Sequence, residues 1–382
     1  MFYNGIPGRI FSITLQSLPV SKRKIVFLNF NGKGWGDNPK YIAEEILRQH
    51  LPYDLVWITD DKEDTFPKGV RTVPWGSRRA RFELATAKVI INNVKNGPWF
   101  EKKNKQYYIQ TWHGDFPLKF IEKEVESLLT PSYVNASRRD STQIDLLLSG
   151  SRLFSNIARE SFWYDGEILE KGIPRYDVYF KDTQEVPRQV RNQLNIGKDT
   201  RIALLAPTFR DNGEMPPIPD TLRLLQALEE KTREPWVVII RLHPNIQERA
   251  SLFTFSDKIL DGSTYPDSQD LTVTADLLIS DYSSIMYDFG LMHKPVILYI
   301  PDEEEYRKQR GLRPIFDSLP FPKGLNDQQL SEIIQNFDKE KYSVDLTTFL
   351  QEKVQSFHDG HASESVVERI KKVISGKWKL GN

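Results

Sequence analysis

Cysteine is absent from all 382 residues, which excludes disulfides, zinc thiolates, iron–sulfur clusters and thiol nucleophiles. Net charge is absent too. The 52 Lys and Arg balance the 52 Asp and Glu, so no global basic field draws the chain to nucleic acid, and no nucleic-acid partner is expected. No stretch approaches eighteen consecutive apolar residues, so no membrane-spanning helix is expected. There is no internal repeat and no low-complexity tract. The glycines Gly32, Gly34 and Gly36 lie in NGKGWGDN, which is neither a Walker loop nor a GxGxxG fingerprint.

What is present fits a folded globular chain: 39% of residues are hydrophobic and 27% charged. The length exceeds what one hydrophobic core usually organises, so two domains are expected. The first 24 residues interleave Phe2, Tyr3, Ile6, Ile10, Phe11, Ile13, Leu15 and Leu18 with Arg9 and close on Lys22, Arg23 and Lys24. They lack the early basic region and long apolar run of a signal peptide. An interfacial membrane segment is one reading; a strand and helix docked on the first domain is the other.

Short β-rich runs alternate with longer amphipathic ones. Strands are expected over Lys24–Phe30, Leu55–Thr59, Lys88–Asn92, Tyr107–Thr111, Ile144–Ser149, Ile202–Ala206, Trp236–Leu242, Asp276–Ser280 and Pro295–Ile300. Most are nearly continuous apolar runs, the pattern of strands covered on both faces. Helices are expected over Pro39–His50, Phe82–Ala87, Ser151–Trp163, Asp220–Lys231, Ile285–Met292 and Ser363–Lys377, with Asp220 as an N-cap. The alternation predicts an α/β fold with two Rossmann-like, doubly wound domains facing a cleft, the site lying at the carboxyl ends of the strands. A polar stretch at Phe180–Thr200 marks the boundary: residues 1–179 form the first domain, and 180–382 form the second, with the C-terminal helix.

Five segments at strand ends carry candidate chemistry. Trp112-His113-Gly114-Asp115 follows the strand YYIQT, where His113 is placed as a general base and Gly114 permits unusual backbone angles. The plainer reading is a buried or locally capping histidine. Arg241-Leu242-His243-Pro244 follows WVVII and suits a diphosphate; a structural turn is the alternative. Ser280-Asp281-Tyr282-Ser283-Ser284 joins a strand to a helix, whose N-terminus offers N–H groups to phosphate oxygens; simple capping by Ser or Asp is compatible with that. Ala206-Pro207-Thr208-Phe209-Arg210-Asp211 points Thr208 and Arg210 to the same rim, and Gly172–Asp177 lies at the domain junction. Acidic loops at Asp60, Asp61, Glu63 and Asp64, and at Asp302 to Glu305, read as solvated surface rather than metal ligands. His50, His293, His358 and His361 lack strand-end context.

Taken in order, these motifs resemble the CDP-glycerol:poly(glycerophosphate) glycerophosphotransferase family. Its patterns, approximately WHGTPLK, GxPRND, APTWRD, RxHP, xSDYSSxxFDF and KPxxxY, are met at Trp112–Lys119, Gly172–Asp177, Ala206–Asp211, Arg241–Pro244, Ile279–Phe289 and Lys294–Tyr299. Asp37–Ile42 also resembles the family's first domain. Asp115-Phe116 departs from it, standing where a single Thr usually follows His-Gly; Phe209, Tyr287 and Tyr176 depart as well.

The resemblance implies a GT-B architecture, a metal-independent reaction without cofactor, and peripheral association with the cytoplasmic face of the cell membrane, where lipid-linked or polymeric acceptors lie. It implies transfer of glycerol phosphate from CDP-glycerol, or ribitol phosphate from CDP-ribitol, with release of CMP. His113 would take the acceptor proton, with Gly114, Asp115 and Lys119 on the acceptor side. His243 and Arg241 would stabilise the diphosphate, and Ser283 and Ser284 would hold its oxygens. Thr208 and Arg210 are further donor contacts, and Asp281 would orient His243 or a ribose hydroxyl. The alternatives are a GT-B glycosyltransferase using a nucleotide sugar, and a non-catalytic protein binding glycan or lipid.

Overall fold

The computed structural model describes residues 15–61, 66–97, 100–181, 184–210 and 213–378. The first fourteen residues, most of the candidate interfacial segment, lie outside them, as do Glu63, Asp64 and Asp211. The chain divides into two compact units. One comprises residues up to Asp115, Ile121–Asp177 and the chain from Ser356 onward; the other comprises Phe116–Phe120 and Val178–Gln355.

The first unit contains β1 (Lys24–Leu28), α1 (Asp37–Arg48), β2 (Asp54–Ile58), β3 (Val70–Val73), α2 (Arg78–Thr86), β4 (Val89–Asn92), β5 (Tyr107–Gln110), α3 (Pro131–Ser141), β6 (Leu146–Ser149), α4 (Arg152–Ser161) and β7 (Ile168–Glu170). Its parallel sheet has the order β3-β2-β1-β4-β5-β6-β7. Every residue of β1 and β4 is buried, because helices cover both faces of the sheet. Val26, Leu28, Val56, Ile58, Ile90 and Tyr108 make one core cluster, each apolar side chain contributing about 1.5–3 kcal/mol by leaving water.

The second unit contains α5 (Glu185–Gln193), β8 (Arg201–Ala206), α6 (Thr221–Thr232), β9 (Trp236–Ile240), β10 (Ile259–Asp261), α7 (Ser268–Thr274), β11 (Leu277–Ser280), α8 (Ile285–Leu291), β12 (Val296–Tyr299), α9 (Glu303–Arg310), β13 (Lys323–Gly324), α10 (Asp327–Gln335) and α11 (Lys339–Thr348). Its parallel sheet has the order β10-β9-β8-β11-β12-β13. Asp220 caps α6 as expected, its carboxylate accepting the N–H groups of Leu222 and Arg223. The strand order reverses between β1 and β4 in one sheet and between β8 and β11 in the other, and ligands of such sheets bind outside the carboxyl ends at that switch point.

Two expectations about domain membership are corrected. The last helix, α12 (Ala362–Ile374), belongs to the first unit, not the second. Asp177 draws it there by accepting the N–H groups of Ala362 and Ser363 at its N-terminus, at 2.9 and 2.8 Å. Residues 116–120 belong to the second unit: Phe116 stacks on Tyr287 at 4.9 Å, and the Leu118 carbonyl accepts the Arg313 N–H. Among the described residues, no helix is long and apolar enough to cross a membrane.

Candidate active site

In the first unit the switch point is closed by amides. Asn93, just past β4, donates from Nδ2 to Asn29 Oδ1 at 2.7 Å and accepts the Phe30 N–H at 2.9 Å. The Asn93 carbonyl lies 2.9 Å from Nδ1 of His113. A carbonyl only accepts, so Nδ1 carries the proton and Nε2 keeps its lone pair. The ring packs against those of Trp112 and Phe30, with centroids 4.3 and 5.5 Å away. Desolvation lowers its pKa, opposed by the Asn93 carbonyl and Asp37 and assisted by Arg175. The lowered pKa favours the neutral imidazole, and with Nδ1 donating to the Asn93 carbonyl its Nε2 is the acceptor nitrogen that a general base needs.

Its backbone is held as firmly. Asn38 Nδ2 donates to the Trp112 carbonyl at 2.9 Å, and Arg175 Nη1 donates to the His113 carbonyl at 3.0 Å and to Asp37 at 2.9 Å. The unusual backbone angles that Gly114 would permit fall instead on Trp112, at φ 53°, with Phe30, Asn31 and Asp37 also at positive φ. Such strain in non-glycine residues persists where the surroundings over-determine the geometry. Arg175, Asn38 and Asn93 were not singled out as site residues in the sequence; their signal was proximity to strand ends and to the Asp37–Ile42 and Gly172–Asp177 motifs.

Asp115 is placed differently from expectation. It is fully buried, and its carboxylate accepts the Gly150 N–H at 2.8 Å and contacts His358 Nε2 at 3.2 Å, so it does not present itself to an acceptor. Lys119 lies in the second unit, with Nζ 5.3 Å from the centroid of the Tyr306 ring.

In the second unit the switch point is closed by charge. Asp281, just past β11, accepts Thr208 Oγ1 at 2.6 Å, the Thr208 N–H at 2.9 Å and Arg210 Nη1 at 3.0 Å. Arg210 also bonds Asp302 through Nε at 2.9 Å and lies over the rings of Tyr282 and Tyr306. Burial pushes the Asp281 carboxyl up, against the pull of Arg210 and the Thr208 donors. Thr208, Arg210 and Asp281, expected on a donor, instead lock the strand ends to one another. Asp302, expected in a solvated loop, is part of that lock through Arg210 and the Tyr282 hydroxyl.

The remaining residues surround this frame. Arg241 Nη1 donates to the carbonyls of Gly262 and Tyr265 at 2.8 and 2.9 Å, so that nitrogen fixes the loop after β10 rather than a phosphate. His243 Nδ1 accepts the Asn245 N–H at 3.1 Å, which leaves the proton on Nε2 and makes it a donor. Ser284 stands at the N-terminus of α8 without a side-chain cap bond, and Ser283 Oγ accepts the Ile285 N–H only at 3.4 Å. No group of three or more His, Asp or Glu suited to a metal ion occurs among the described residues.

Two parallel sheets of Rossmann strand order, each with a histidine just past a strand's carboxyl end, define an α/β fold of the GT-B-like class. The comparisons are more specific. The CDP-Glycerol:Poly(glycerophosphate) glycerophosphotransferase pattern matches residues 10–372, and the chain belongs to that family. It is 30% identical to a teichoic acid poly(glycerol phosphate) polymerase of Staphylococcus epidermidis, over 96% of this chain and 53% of that one. It is 29% identical to a teichoic acid glycerol-phosphate transferase of Staphylococcus aureus, over 93% of this chain and 94% of that one. The chain therefore spans about half of the first relative and nearly all of the second. A solved structure of a variant of the wall teichoic acid polymerase TagF, soaked with CDPG, superposes with a TM-score of 0.86 at 28% identity, covering 97% of this chain and 93% of that one.

Proposed function

We propose that this protein transfers glycerol phosphate from CDP-glycerol to a hydroxyl of a lipid-linked or polymeric, teichoic-acid-like acceptor. The acceptor oxygen attacks the phosphorus that bears the glycerol, the bond to the bridging oxygen breaks, and CMP departs with that oxygen. His113 Nε2 takes the proton of the attacking hydroxyl. His243 Nε2–H donates to the diphosphate as charge builds on the leaving phosphate, and the start of α8 with Ser283 and Ser284 faces its oxygens. Such transfers depend on positioning and charge stabilisation more than on covalent catalysis.

The observation that carries this reading is the bond between His113 Nδ1 and the Asn93 carbonyl, which fixes the basic nitrogen. The membrane that carries the acceptor would hold the enzyme peripherally, on its cytoplasmic face. Turnover of CDP-glycerol, CDP-ribitol and UDP-sugars with a soluble short-chain acceptor tests it. CMP and a phosphodiester product are expected. Release of a nucleoside diphosphate from a nucleotide sugar would instead make the protein a glycosyltransferase, and preference for CDP-ribitol would change the polyol alone.

A further inference from the structure

His358 is one of four histidines that no strand end accounts for, yet it is the most elaborately housed. Its side chain is 2% exposed, and Nε2 lies 3.2 Å from Asp115 Oδ2. Two glycines clear the space for its ring. A Cβ on Gly150 would stand 2.2 Å from the imidazole and 2.6 Å from Asp115 Oδ2, and one on Gly172 would stand 3.1 Å from Nδ1. Tyr176 closes the pocket edge-on at 5.0 Å. The chain on either side is fixed as well: Phe357 N–H donates to the Gly150 carbonyl, and Ser356 bridges Ser151.

These contacts form a closed circuit within the first unit. Asp115 is two residues past His113. His358 leads into α12, whose first N–H groups are held by Asp177. Asp177 is two residues past Arg175, and Arg175 holds the His113 carbonyl. We propose that His358, carried by the C-terminal segment, is a positioning residue for His113: through Asp115 it closes the circuit that fixes the 112–115 turn. The proposal rests on the reading of His113 as the base.

The turn has one end tied by Asn38, Asn93 and Arg175 and the other by Asp115, which is held by the Gly150 N–H and by His358. Losing the His358 contact loosens the second end and lets the imidazole drift from the attacking oxygen, and a displacement of about 1 Å costs on the order of 100-fold in rate. The test is steady-state kinetics of the full chain with CDP-glycerol and a soluble acceptor. His358→Ala is expected to lower kcat about 10- to 100-fold with the donor KM unchanged. His358→Gln, which keeps a nitrogen near Nε2 for Asp115, should recover most of the loss. His358→Ala combined with Asp115→Ala should be no worse than the more damaging single change. Arg369→Ala is the structural control: it removes the bonds from α12 to Glu167 and Tyr107 and should lower the melting temperature without lowering kcat. Wild-type kcat in His358→Ala, or an equal fall in Arg369→Ala, would overturn the proposal. Should His358→Ala not fold, the Gln variant and Asp115→Asn decide by the same kcat and KM readings. Loss of the base reading is recognised separately, by turnover persisting in His113→Ala.

Discussion

The two sheets follow one strand order around their switch points but close them with different chemistry. Between β1 and β4 the strand ends are joined by neutral amides, Asn29 to Asn93, and the histidine nearby donates to a carbonyl. Between β8 and β11 they are joined by a buried ion pair, Asp281 with Arg210, and the histidine after β9 accepts from a backbone N–H. The two imidazoles therefore present opposite Nε2 atoms, an acceptor in the first unit and a donor in the second. In the first unit desolvation is the largest influence on the proton affinity of His113, with Asp37 and Arg175 acting in opposite directions. A charged frame joins the strand ends where, on the proposed reading, a dianionic diphosphate would be met by donors that do not move.

The sharpest way to break this contrast is His113→Ala. Turnover should fall about 100- to 10,000-fold, with CDP-glycerol affinity by calorimetry nearly intact; a variant keeping a third of wild-type turnover would deprive the first site of its base. Next in size is Arg210→Met, which leaves Asp281 buried without its cation. Denaturant unfolding should show a loss of about 3–5 kcal/mol, whereas a loss below 1 kcal/mol would mean that the second switch point is not held by charge.

The third test concerns the loop that presents Asn93. It rests on Asp140, which accepts Asn96 Nδ2 at 3.0 Å and the Tyr108 hydroxyl at 3.3 Å, and burial pushes its carboxyl up from 3.8 to about 6. A carboxyl with a raised folded pKa binds its proton more tightly in the folded state. Its stabilising contribution is complete below about pH 3.8 and is lost as pH rises through about 6. The loss amounts to on the order of 3 kcal/mol. Asp140→Asn should flatten the fall in stability between pH 4 and 6, measured as denaturant midpoints; an unchanged slope would clear Asp140 of the effect.

His243→Ala should weaken CDP-glycerol binding by about 1.5–3 kcal/mol and slow turnover with it. Calorimetry showing wild-type affinity would separate this histidine from the diphosphate. The smallest expected effect is from chelation: turnover should be unchanged in EDTA, because donors and a helix N-terminus can balance the diphosphate. Abolition by EDTA and recovery with magnesium would put the charge balance elsewhere.

Legibility of the fold followed burial. All nine expected strands are present, and the four not anticipated among the described residues, β3, β7, β10 and β13, are the edges of the two sheets. Central strands are covered on both faces and read as apolar runs. Edge strands are short and partly exposed, as the pattern of β7 illustrates, and their sequences carry no such run. In the site, the histidines and the strand-to-helix turn were legible because they sit next to apolar runs. What each side chain bonds was not. Thr208, Arg210 and Asp281 have the composition of a phosphate site and are used inward, and His358 reaches Asp115 across 243 residues of sequence.

The first unit is assembled from three stretches of chain, the last beginning at Ser356. A ribosome adding roughly 5–20 residues per second needs about 10–35 s to pass from Val178 to Gln355. During that interval β1–β7 can pair, but α12 and His358 have not been made. The N-terminal unit is thus completed only after the second has been made, and a nascent chain stalled before Ser356 carries His113 on a turn whose Asp115 holds Gly150 but still lacks its His358 partner.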